Sequence, residues 1–322
     1  MESRFLGRAG AKISPLCLGN MNFGSPDCDE AKSRQIMDLA LRNGINFFDT
    51  ANVYQKQHSE EILGRWLAEG TAGRRNSLVL ATKVYGKVGG GENDRGLSRF
   101  HIVRACEDSL RRLRTDRIDA YLLHHPDNVP IEETVRAMDD LVRAGKVIYW
   151  GTSNYKAWQL FEATVASEKI HGTPPVVEQS PYSMINRHVE NELVPYCQKY
   201  GARIMAWSPL NAGRLSGVYK KGKSVADTPR NQAEIWRKAL QKNIQLIEEL
   251  GGIAKELGRP LPHLAYAWLL HQPMVCSVIV GPRTIEHLSE ALLAAELKLT
   301  PEILKQIDEL VPPGTAPDYI GW

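Results

Sequence analysis

Several features that mark other classes of protein are missing or scarce in this sequence of 322 residues. The five cysteines are scattered and odd in number, so they form neither a disulfide framework nor paired CxxC metal sites. No apolar run approaches the ~20 residues of a transmembrane helix, and the first eight residues lack the apolar region of a signal peptide. A net charge of only +3 argues against a nucleic-acid or membrane-surface partner. We therefore expect a cytoplasmic protein with reduced thiols.

The overall composition is that of an ordinary globular protein. Hydrophobic residues make up 43% of the chain and charged residues 24%, which is enough to bury a large core. Length alone would allow two domains, but an α/β barrel of this size can be a single one. No low-complexity segment or change in composition divides the chain, so we expect one domain over residues 1–322.

Short apolar segments alternate with longer amphipathic segments along nearly the whole chain. The predicted strands lie at 15–18, 46–48, 78–82, 119–123, 147–150, 176–178, 203–207 and 276–280. The predicted helices lie at 30–42, 60–68, 99–113, 131–144, 155–167, 187–200, 242–257, 262–271, 284–297 and 301–310, with a long polar segment at 212–234. Such alternation, in eight units over roughly 250 residues, is typical of a (β/α)8 TIM barrel. Weak alternation around Gly7 and Gly10 predicts an N-terminal β-hairpin, and extra helices and a Pro/Gly-rich tail follow the barrel.

The main alternative is a doubly wound sheet that binds a dinucleotide at its first turn. That fold requires a G-x-G-x-x-G sequence immediately after the first strand. Residues 19–24 read GNMNFG, in which the glycine spacing is different. The glycine run at 89–91 lies in a polar loop and not between a strand and a helix. The sequence therefore favours the barrel.

Titratable side chains follow three consecutive predicted strands, where a barrel places its chemistry. Asp49 and Tyr54 follow the second strand, Lys83 the third and His124 the fourth. A lysine at a buried strand end needs a partner, which Asp49 could provide. The lysine would lower the pKa of Tyr54 from roughly 10 and make its phenol a general acid. Taken singly, Asp49 and Lys83 could be a structural ion pair, and His124 an ordinary polar residue.

His124 and His125 stand next to each other at the end of the fourth predicted strand. Successive side chains of a strand point to opposite faces. We therefore expect only one of the two rings to face the barrel mouth, which is the end where the carboxyl termini of the strands lie.

A second group of residues follows the seventh and eighth predicted strands. Residues 207–210 (WSPL) end the seventh strand, and residues 281–284 (GPRT) join the eighth strand to a helix. Backbone N–H groups at a helix N-terminus suit phosphate, and Arg283 could add a charged hydrogen bond. Phosphate sites in such barrels often follow these two strands. The alternatives are a plain helix cap by Thr284 and a core position for Trp207.

With these motifs in place, the chain resembles the aldo-keto reductase superfamily over nearly its whole length. The matching stretches are LCLGNMNF (16–23), GINFFDTANVY (44–54), EILGRW (61–66), ATK (81–83), DAYLLHHPD (119–127), GTSN (151–154), QSPY (179–182), WSPL (207–210) and GPRTIEHLSE (281–290). RGLSRFH (95–101), residues 130–138 and YWGTSN (149–154) are similar to a longer-looped branch. That branch contains bacterial oxidoreductases and the β-subunits of voltage-gated potassium channels.

The resemblance implies a barrel reductase that uses NADP(H), and no metal, to reduce an aldehyde or ketone to an alcohol. By position, Asp49, Tyr54, Lys83 and His124 match the catalytic tetrad of the family. Tyr54 would donate a proton to the carbonyl oxygen, and His124, in the L-H-x-P position, would orient the carbonyl. Lys83, held by Asp49, would tune Tyr54.

The resemblance also implies which residues hold the cofactor. The nicotinamide end is matched by Asn20, Met21, Asp49, Ser153, Asn154, Gln179 and Trp207, and the pyrophosphate by Ser208, Pro209, Leu210 and Asn211. The adenosine 2′-phosphate end is matched by Arg230, Gly281, Arg283, His287 and Glu290. Two positions depart from the family pattern: Val218 replaces a frequent lysine, and Ala291 replaces a frequent asparagine. The preference for NADP over NAD therefore depends on Arg283 and Arg230.

The resemblance leaves two kinds of function open. A carbonyl reductase is favoured because all four tetrad residues are present, whereas channel subunits tend to lack the tetrad histidine. The alternative is a redox-sensing regulatory subunit that binds NADPH with little or no catalysis, and the branch also makes a homo-oligomer possible. The residues on the substrate side would be Tyr54, Tyr85, Gly86, His124, His125, Tyr182 and the tail 319–322. Aromatic and small groups of this kind suit a keto-sugar or a flat natural-product ketone.

Overall fold

The computed structural model of the chain describes residues 1–70, 72–219 and 234–316. In this part of the chain eight parallel strands close into a barrel, which confirms the predicted (β/α)8 fold. Each strand pairs with the next in sequence, and the last pairs with the first. The hairpin is β1 (Arg4–Phe5) and β2 (Lys12–Ile13), and the barrel strands are β3 (Leu16–Gly19), β4 (Phe47–Asp49), β5 (Val79–Val84), β6 (Ile118–Leu123), β7 (Val147–Ser153), β8 (Val177–Pro181), β9 (Arg203–Trp207) and β10 (Val275–Val280).

Helices surround the barrel and follow its strands, with an extra helix after the last unit. They are α1 (Glu30–Arg42), α2 (His58–Glu69), α3 (Ala72–Asn76), α4 (Arg99–Leu113), α5 (Ile131–Arg143), α6 (Ala157–Lys169), α7 (Leu193–Tyr200), α8 (Glu234–Glu256), α9 (Leu261–His271), α10 (Ile285–Ala294) and α11 (Pro301–Leu310). Asp29, Ser98 and Thr284 each accept a hydrogen bond from the backbone N–H three residues later, and so fix the starts of α1, α4 and α10.

The core has two layers, one inside the barrel and one between the barrel and its helices. Parallel strands covered on both faces must be apolar on both sides, and every residue of β6 and β10 is buried. Cys17, Phe47 and Met205 pack inside the barrel. Their sequence neighbours Leu18 and Phe48 belong to the outer layer. The alternation of side chains along each strand therefore sorts the apolar residues between the two layers.

The predicted hairpin is present, and it lies against the amino-terminal end of the barrel. Leu6 and Ile13 are fully buried and belong to the inner layer of the core. Gly7 has a φ of +59°, and a Cβ atom at this position would lie 1.7 Å from the carbonyl oxygen of Val176. The hairpin thus lies directly against the start of β8, at a point where a side chain does not fit.

Several strands run further toward the mouth than their apolar patterns predict. β5, β7 and β8 end at Val84, Ser153 and Pro181, beyond the apolar runs that end at 82, 150 and 178. The pairing of strands continues past the apolar residues, so that Lys83 is paired with Leu122. Polar residues at the mouth end the run of apolar residues, but the hydrogen bonding of the sheet continues through them. Lys83 therefore lies within β5 and not after it.

Other elements also differ from the prediction: the helix predicted at 242–257 is α8, which begins earlier, at Glu234. The helix predicted at 187–200 consists of a 3-10 turn, His188–Glu190, followed by α7, which begins at Leu193. A short helix, α3, follows α2 and has no counterpart in the prediction. The polar segment at 212–234 includes residues 220–233, which lie outside the described residues.

Candidate active site

Three of the predicted catalytic side chains meet at the barrel mouth. The Nζ of Lys83 donates to the Oδ2 of Asp49 at 2.6 Å and to the hydroxyl of Tyr54 at 3.2 Å. It also donates to the carbonyl oxygen of Thr50 at 2.8 Å. Lys83 is fully buried and Asp49 is 2% exposed, whereas Tyr54 is half-buried. The ends of two neighbouring strands thus bring a carboxylate, an ammonium and a phenol into one hydrogen-bonded group.

The electrostatics of this group differ from the prediction for Tyr54. Burial lowers the pKa of Lys83, but the attraction of Asp49 and Tyr54 outweighs burial and leaves that pKa raised. For Tyr54, burial raises the pKa above its ordinary value of 10, and Lys83 opposes this rise only in part. The predicted lowering of the Tyr54 pKa is therefore wrong for the free protein, because the loss of solvation outweighs the nearby cation. A phenol that keeps its proton at neutral pH remains a proton donor.

His124 lies beside Tyr54, with their ring centroids 5.8 Å apart and the ring planes at 81°. The ring of His125 does not point away, since it stacks on His124 with centroids 5.1 Å apart and an angle of 20°. His125 also contacts Tyr85, at 5.4 Å between ring centroids. The prediction that the two histidines face opposite ways is wrong, because β6 ends at Leu123 and the alternation of a strand does not extend beyond it.

The imidazole of His124 is neutral in the free protein. Burial is the main cause, and Lys83 and His125 add to it, so that the pKa of His124 is lowered to about 2. Burial also lowers the pKa of His125. A neutral imidazole has one nitrogen that donates and one that accepts, so His124 can bind a polar oxygen without carrying a charge.

The three residues predicted to bind the nicotinamide amide form a connected group next to the predicted catalytic residues. The Nε2 of Gln179 donates to the Oδ1 of Asp49 at 2.9 Å. The Oγ of Ser153 donates to the carbonyl oxygen of Gln179 at 2.9 Å. The Nδ2 of Asn154, in a turn with φ +62°, donates to Ser153 Oγ and to the carbonyl oxygen of His124, both at 3.0 Å. The structure thus brings these predicted residues together around Asp49 and His124.

Asn20 follows β3, and its backbone N–H donates to the carbonyl oxygen of Asp49 at 2.8 Å. Its side-chain amide is fully buried, and neither the nitrogen nor the oxygen has a hydrogen-bond partner among the described residues. Such a group costs free energy until a partner is supplied. Its neighbour Met21 is 44% exposed at the surface. Both residues lie at the strand end next to the one that carries Asp49.

The predicted pyrophosphate residues lie in a turn that follows β9. Ser208, Asn211 and Ala212 have φ values of +55°, +48° and +55°, which is the left-handed region. The Oγ of Ser208 accepts a hydrogen bond from the backbone N–H of Ala212 at 2.9 Å. Left-handed residues in a turn direct backbone N–H groups to one side and form anion-binding concavities. Trp207, the last residue of β9, leads into this turn, which contains Ser208, Pro209, Leu210 and Asn211.

The predicted adenosine end lies where β10 leads into α10. Arg283 precedes the capping residue Thr284, and its side chain is 48% exposed. The backbone N–H of Arg283 donates to the Nδ1 of His287 at 3.4 Å. The Oδ2 of Asp27, from the loop after β3, lies 3.9 Å from the Nη1 of Arg283. The cap predicted as an alternative is therefore present, and it lies next to an exposed cation.

Gly281 and Glu290 contact residues that the sequence did not suggest. The carbonyl oxygen of Gly281 accepts a hydrogen bond from the Nδ2 of Asn22 at 3.2 Å. The Oε2 of Glu290 lies 2.6 Å from the Nε2 of His263, a buried residue of α9. The first contact connects the loop after β3 with the loop after β10, which are neighbours in the barrel.

Some predicted residues are not brought to the mouth. Tyr182 is 1% exposed, its hydroxyl donates to Glu190 at 2.6 Å, and its ring meets Trp268 edge-on. This position speaks against the predicted substrate contact, because the phenol is already bonded inside the protein. Arg230 and the tail residues 319–322 lie outside the described residues.

Some contacts of the site could not be predicted from the types of side chain in the sequence. The Thr50 group that binds Lys83 is a backbone carbonyl, which no residue type encodes. Asn22 lies two residues after Asn20 in the LCLGNMNF stretch, and this closeness is the feature of the sequence that could have indicated a role for it. The approach of Asp27 to Arg283 depends on the path of two loops.

The residues present fit a dinucleotide that carries an extra phosphate. The amide of Asn20 offers a donor and an acceptor beside the group of Asp49, Lys83 and Tyr54. The left-handed turn at 208–212 and the start of α10, which follow adjacent strands, are two features of the kind that can bind an anion. Arg283 adds a cation at the second feature, where a 2′-phosphate would need one.

Three further features of the described residues bear on the chemistry. No helix in these ranges combines the length and the apolar character needed to cross a bilayer. The same ranges contain no group of three His, Cys, Asp or Glu side chains placed to hold a metal ion. All five cysteines are buried thiols without a disulfide partner.

Comparison with known proteins agrees with this geometry. The model of the Aldo/keto reductase family matches residues 15–312. The chain is 41% identical over 333 residues to an uncharacterized oxidoreductase, YrpG, of Bacillus subtilis (strain 168), with 100% of both chains covered. It is 39% and 38% identical to probable voltage-gated potassium channel beta subunits of Arabidopsis thaliana and Oryza sativa subsp. japonica, each with 97% of both chains covered. The chain therefore belongs to the aldo/keto reductase family.

Proposed function

We propose that the protein is an NADPH-dependent reductase that converts an aldehyde or ketone into an alcohol. The observation that carries this proposal is the hydrogen-bonded group of Asp49, Lys83 and Tyr54 at the barrel mouth. Membership of the aldo/keto reductase family supports carbonyl reduction in general. A relative that matches over its full length is named as an oxidoreductase, which is consistent with this class of reaction.

The chain supplies the acid and its electrostatic support. Bound nicotinamide would supply the hydride that adds to the carbonyl carbon. Tyr54 would donate its hydroxyl proton to the carbonyl oxygen as negative charge develops there. The ammonium of Lys83, 3.2 Å from the phenol oxygen, would stabilise the phenolate that remains. Asp49 fixes the position of that ammonium through its 2.6 Å contact.

His124 would position the carbonyl group. Its neutral ring lies beside Tyr54 and can donate a hydrogen bond to the same oxygen that receives the proton. Because the ring carries no charge, it does not compete with Tyr54 as the proton source. The two side chains would then hold the carbonyl oxygen between them, which sets its orientation toward the cofactor.

The cofactor would extend from this site along the rim of the barrel. Ser153, Asn154 and Gln179 would hold the nicotinamide amide, and Trp207 would stack on its ring. The turn at 208–212 would bind the pyrophosphate. The 2′-phosphate that distinguishes NADP from NAD would meet Arg283 at the start of α10. Asp27, 3.9 Å from that guanidinium, weakens the local positive charge and limits the preference.

A second candidate is a regulatory subunit that binds NADPH without rapid catalysis. Two relatives with 97% coverage are named as probable potassium channel beta subunits, which favours this alternative. The presence of His124 next to Tyr54 argues for catalysis, because that ring is expected to be needed only for carbonyl chemistry. Activity on a carbonyl panel distinguishes the two.

The substrate would approach Tyr54 and His124 past Tyr85 and His125. The ring of His125 stacks on His124 and is tilted by 57° against Tyr85, with centroids 5.1 and 5.4 Å apart, so aromatic rings form a wall beside the proposed catalytic residues. Such a wall suits a sugar ring or a planar natural-product ketone. Tyr182 is left out of this set because its hydroxyl is bonded to Glu190.

The first experiment is a titration of the protein with NADPH and NADH, followed by turnover on keto-sugars, planar ketones and simple aromatic aldehydes. We expect saturable binding of NADPH, weaker binding of NADH, and oxidation of NADPH with at least one carbonyl class. Tight binding of NADPH without turnover on any carbonyl would support the regulatory subunit instead. Much better reduction of simple aromatic aldehydes than of keto-sugars would contradict the keto-sugar assignment.

Replacing Tyr54 by phenylalanine tests the assigned acid. Y54F keeps the ring but removes the proton, so turnover should fall by about 10²–10⁴ while NADPH binding is retained. Tyr200→Phe is the matched control, because Tyr200 lies on α7 outside the mouth and packs against Phe161. Full turnover in Y54F would refute the assignment of Tyr54 as the proton donor.

A further inference from the structure

A buried carboxyl group lies on the outer face of the two strands that carry the amide-binding residues. Glu178 is fully buried and precedes Gln179 in β8. Successive side chains of a strand point to opposite faces, and Gln179 reaches Asp49 inside the mouth. Glu178 therefore faces the helical layer. It is paired across the strands with Thr152, in the same way that Gln179 is paired with Ser153.

The carboxyl group of Glu178 collects hydrogen bonds from the turn that follows β7. Its Oε1 accepts from the backbone N–H of Tyr155 at 3.1 Å and from Ser180 Oγ at 2.8 Å. Its Oε2 accepts from Thr152 Oγ1 at 2.5 Å. Tyr155 directly follows the left-handed Asn154. Glu178 is thus bonded immediately before and immediately after the pair Ser153 and Asn154.

The turn that Glu178 holds contains the left-handed residue Asn154, and its other side faces the candidate site. Asparagine adopts the left-handed region more readily than other non-glycine residues, and surrounding contacts hold it there. The side chain of Asn154 is committed to Ser153 and to the His124 carbonyl on the inner face. The backbone N–H of Asn154 donates to the carbonyl oxygen of Gln179 at 3.1 Å, and on the outer face the backbone N–H of Tyr155 donates to Glu178.

We propose that Glu178 is a positioning residue that fixes the turn 153–155 from behind and so presents Ser153, Asn154 and Gln179 to the nicotinamide amide. The inference deepens the proposed function and rests on it. Glu178 touches neither the cofactor nor the reacting atoms, and it acts through the backbone of the turn. Removal of its contacts should therefore weaken binding of the nicotinamide half of the cofactor and leave the adenosine half unaffected.

Two substitutions of Glu178 separate the position of its hydrogen-bonding atoms from the charge of its carboxyl group. Burial raises the pKa of Glu178 to about 8, although its hydrogen bonds oppose the rise, so the carboxyl group is mainly protonated at neutral pH. Glutamine has the same shape, keeps the acceptor for Tyr155 N–H and places an N–H group at Thr152, whose hydroxyl can accept a hydrogen bond as well as donate one. E178Q therefore preserves the position. E178D shortens the side chain by one carbon and withdraws the acceptor from the turn.

The experiment compares calorimetric binding of NADPH with that of adenosine 2′,5′-bisphosphate, which has the 2′-phosphate but no nicotinamide. For E178D we expect about tenfold weaker binding of NADPH, the equivalent of one lost hydrogen bond, and unchanged binding of the bisphosphate. E178Q should bind both ligands as the wild type does. Thr164→Val is the stability control, because Thr164 on α6 is also buried and hydrogen-bonded but lies away from the turn.

The outcomes separate this proposal from the function on which it rests. Equal loss of both ligands in E178D, or loss of neither, would overturn the positioning role, because a general loss of structure affects both halves. Failure of E178Q to match the wild type would also overturn it. Wild-type protein that binds neither ligand would refute the proposed function first, and the role of Glu178 with it.

Discussion

The four predicted catalytic residues show how burial and charge compete over a single proton. For Tyr54 burial outweighs the attraction of Lys83, and the pKa is raised above the ordinary value of 10. For His124 burial and Lys83 act in the same direction and lower the pKa to about 2. The outcome is a protonated phenol next to an uncharged imidazole over the whole neutral range. That combination suits a donor in carbonyl reduction, because the substrate oxygen must receive its proton from only one of them.

This arrangement predicts the pH profile of the reaction. Since His124 would gain a proton only near pH 2 and Tyr54 would lose one only above pH 10, kcat/KM for reduction should be flat between about pH 6 and 9. It should fall on the alkaline side as pH rises through the Tyr54 pKa. The measurement is steady-state reduction of the best carbonyl substrate across this range, with His124→Asn for comparison. An inflection near 6.5 that disappears in H124N would contradict the neutral imidazole.

For single residues, the sequence predicts which side chains meet at the site better than it predicts the direction in which each one points. Asp49, Lys83 and Tyr54 were identified because they follow neighbouring strands, and the structure joins them by hydrogen bonds. The direction of His125 was predicted wrongly because the end of β6 is not visible in an apolar run. Tyr182 shows the same limit, since its burial against Trp268 depends on a helix far away in the sequence.

The element that follows Tyr54 is an unusual turn of three left-handed residues. Gln55, Lys56 and Gln57 have φ values of +48°, +54° and +81°, and none of them is glycine. Gln55 Nε2 donates to the Met21 carbonyl oxygen at 3.0 Å, and Gln57 Nε2 donates to the Val88 carbonyl oxygen at 3.0 Å. These contacts offset part of the strain at both ends of the turn. The sequence contains no glycine here, so its pattern does not predict the turn.

Replacing Lys56 by glycine measures the free-energy cost of this left-handed turn, because the side chain of Lys56 is exposed. Relief of the left-handed strain should contribute roughly 1–2 kcal/mol, and the added freedom of glycine in the unfolded chain should remove roughly 0.5–1 kcal/mol. K56G is therefore expected to stabilise the protein by about 0.5–1 kcal/mol in urea denaturation. Gln57→Gly is the control, because it loses its contact with Val88 and should gain less. A lower unfolding midpoint for K56G would show that the turn is not strained.

The barrel as a whole follows from the regular succession of apolar and amphipathic segments. Eight such units predict a closed parallel barrel because each strand must be covered by a helix and must pair on both edges. The strand ends that carry Lys83, Ser153 and Gln179 are polar, and for this reason the three strands were predicted to be shorter than they are. Apolar periodicity reports the core, whereas the active site occupies the positions where that periodicity stops. The chemistry therefore had to be inferred from residue types and from the family resemblance.

The hairpin at the opposite end of the barrel provides a prediction about the whole molecule. Gly7 is left-handed, and a Cβ there would lie 1.7 Å from the Val176 carbonyl oxygen, so G7A should displace the hairpin and destabilise the protein by about 2–3 kcal/mol or more. Gly10 lies in the same hairpin, and a Cβ added to it would have no neighbouring atom within 4 Å. G10A should therefore change stability by less than about 0.5 kcal/mol.

The same pair of variants tests whether the two ends of the barrel are separate in function. The amino-terminal end contributes to stability and the mouth to chemistry, so folded G7A should keep the wild-type kcat at a temperature well below its unfolding midpoint. Urea denaturation and turnover of the same samples give both quantities. Loss of kcat in fully folded G7A would show that the hairpin influences the mouth, and equal stability of G7A and G10A would show that the hairpin does not pack against β8.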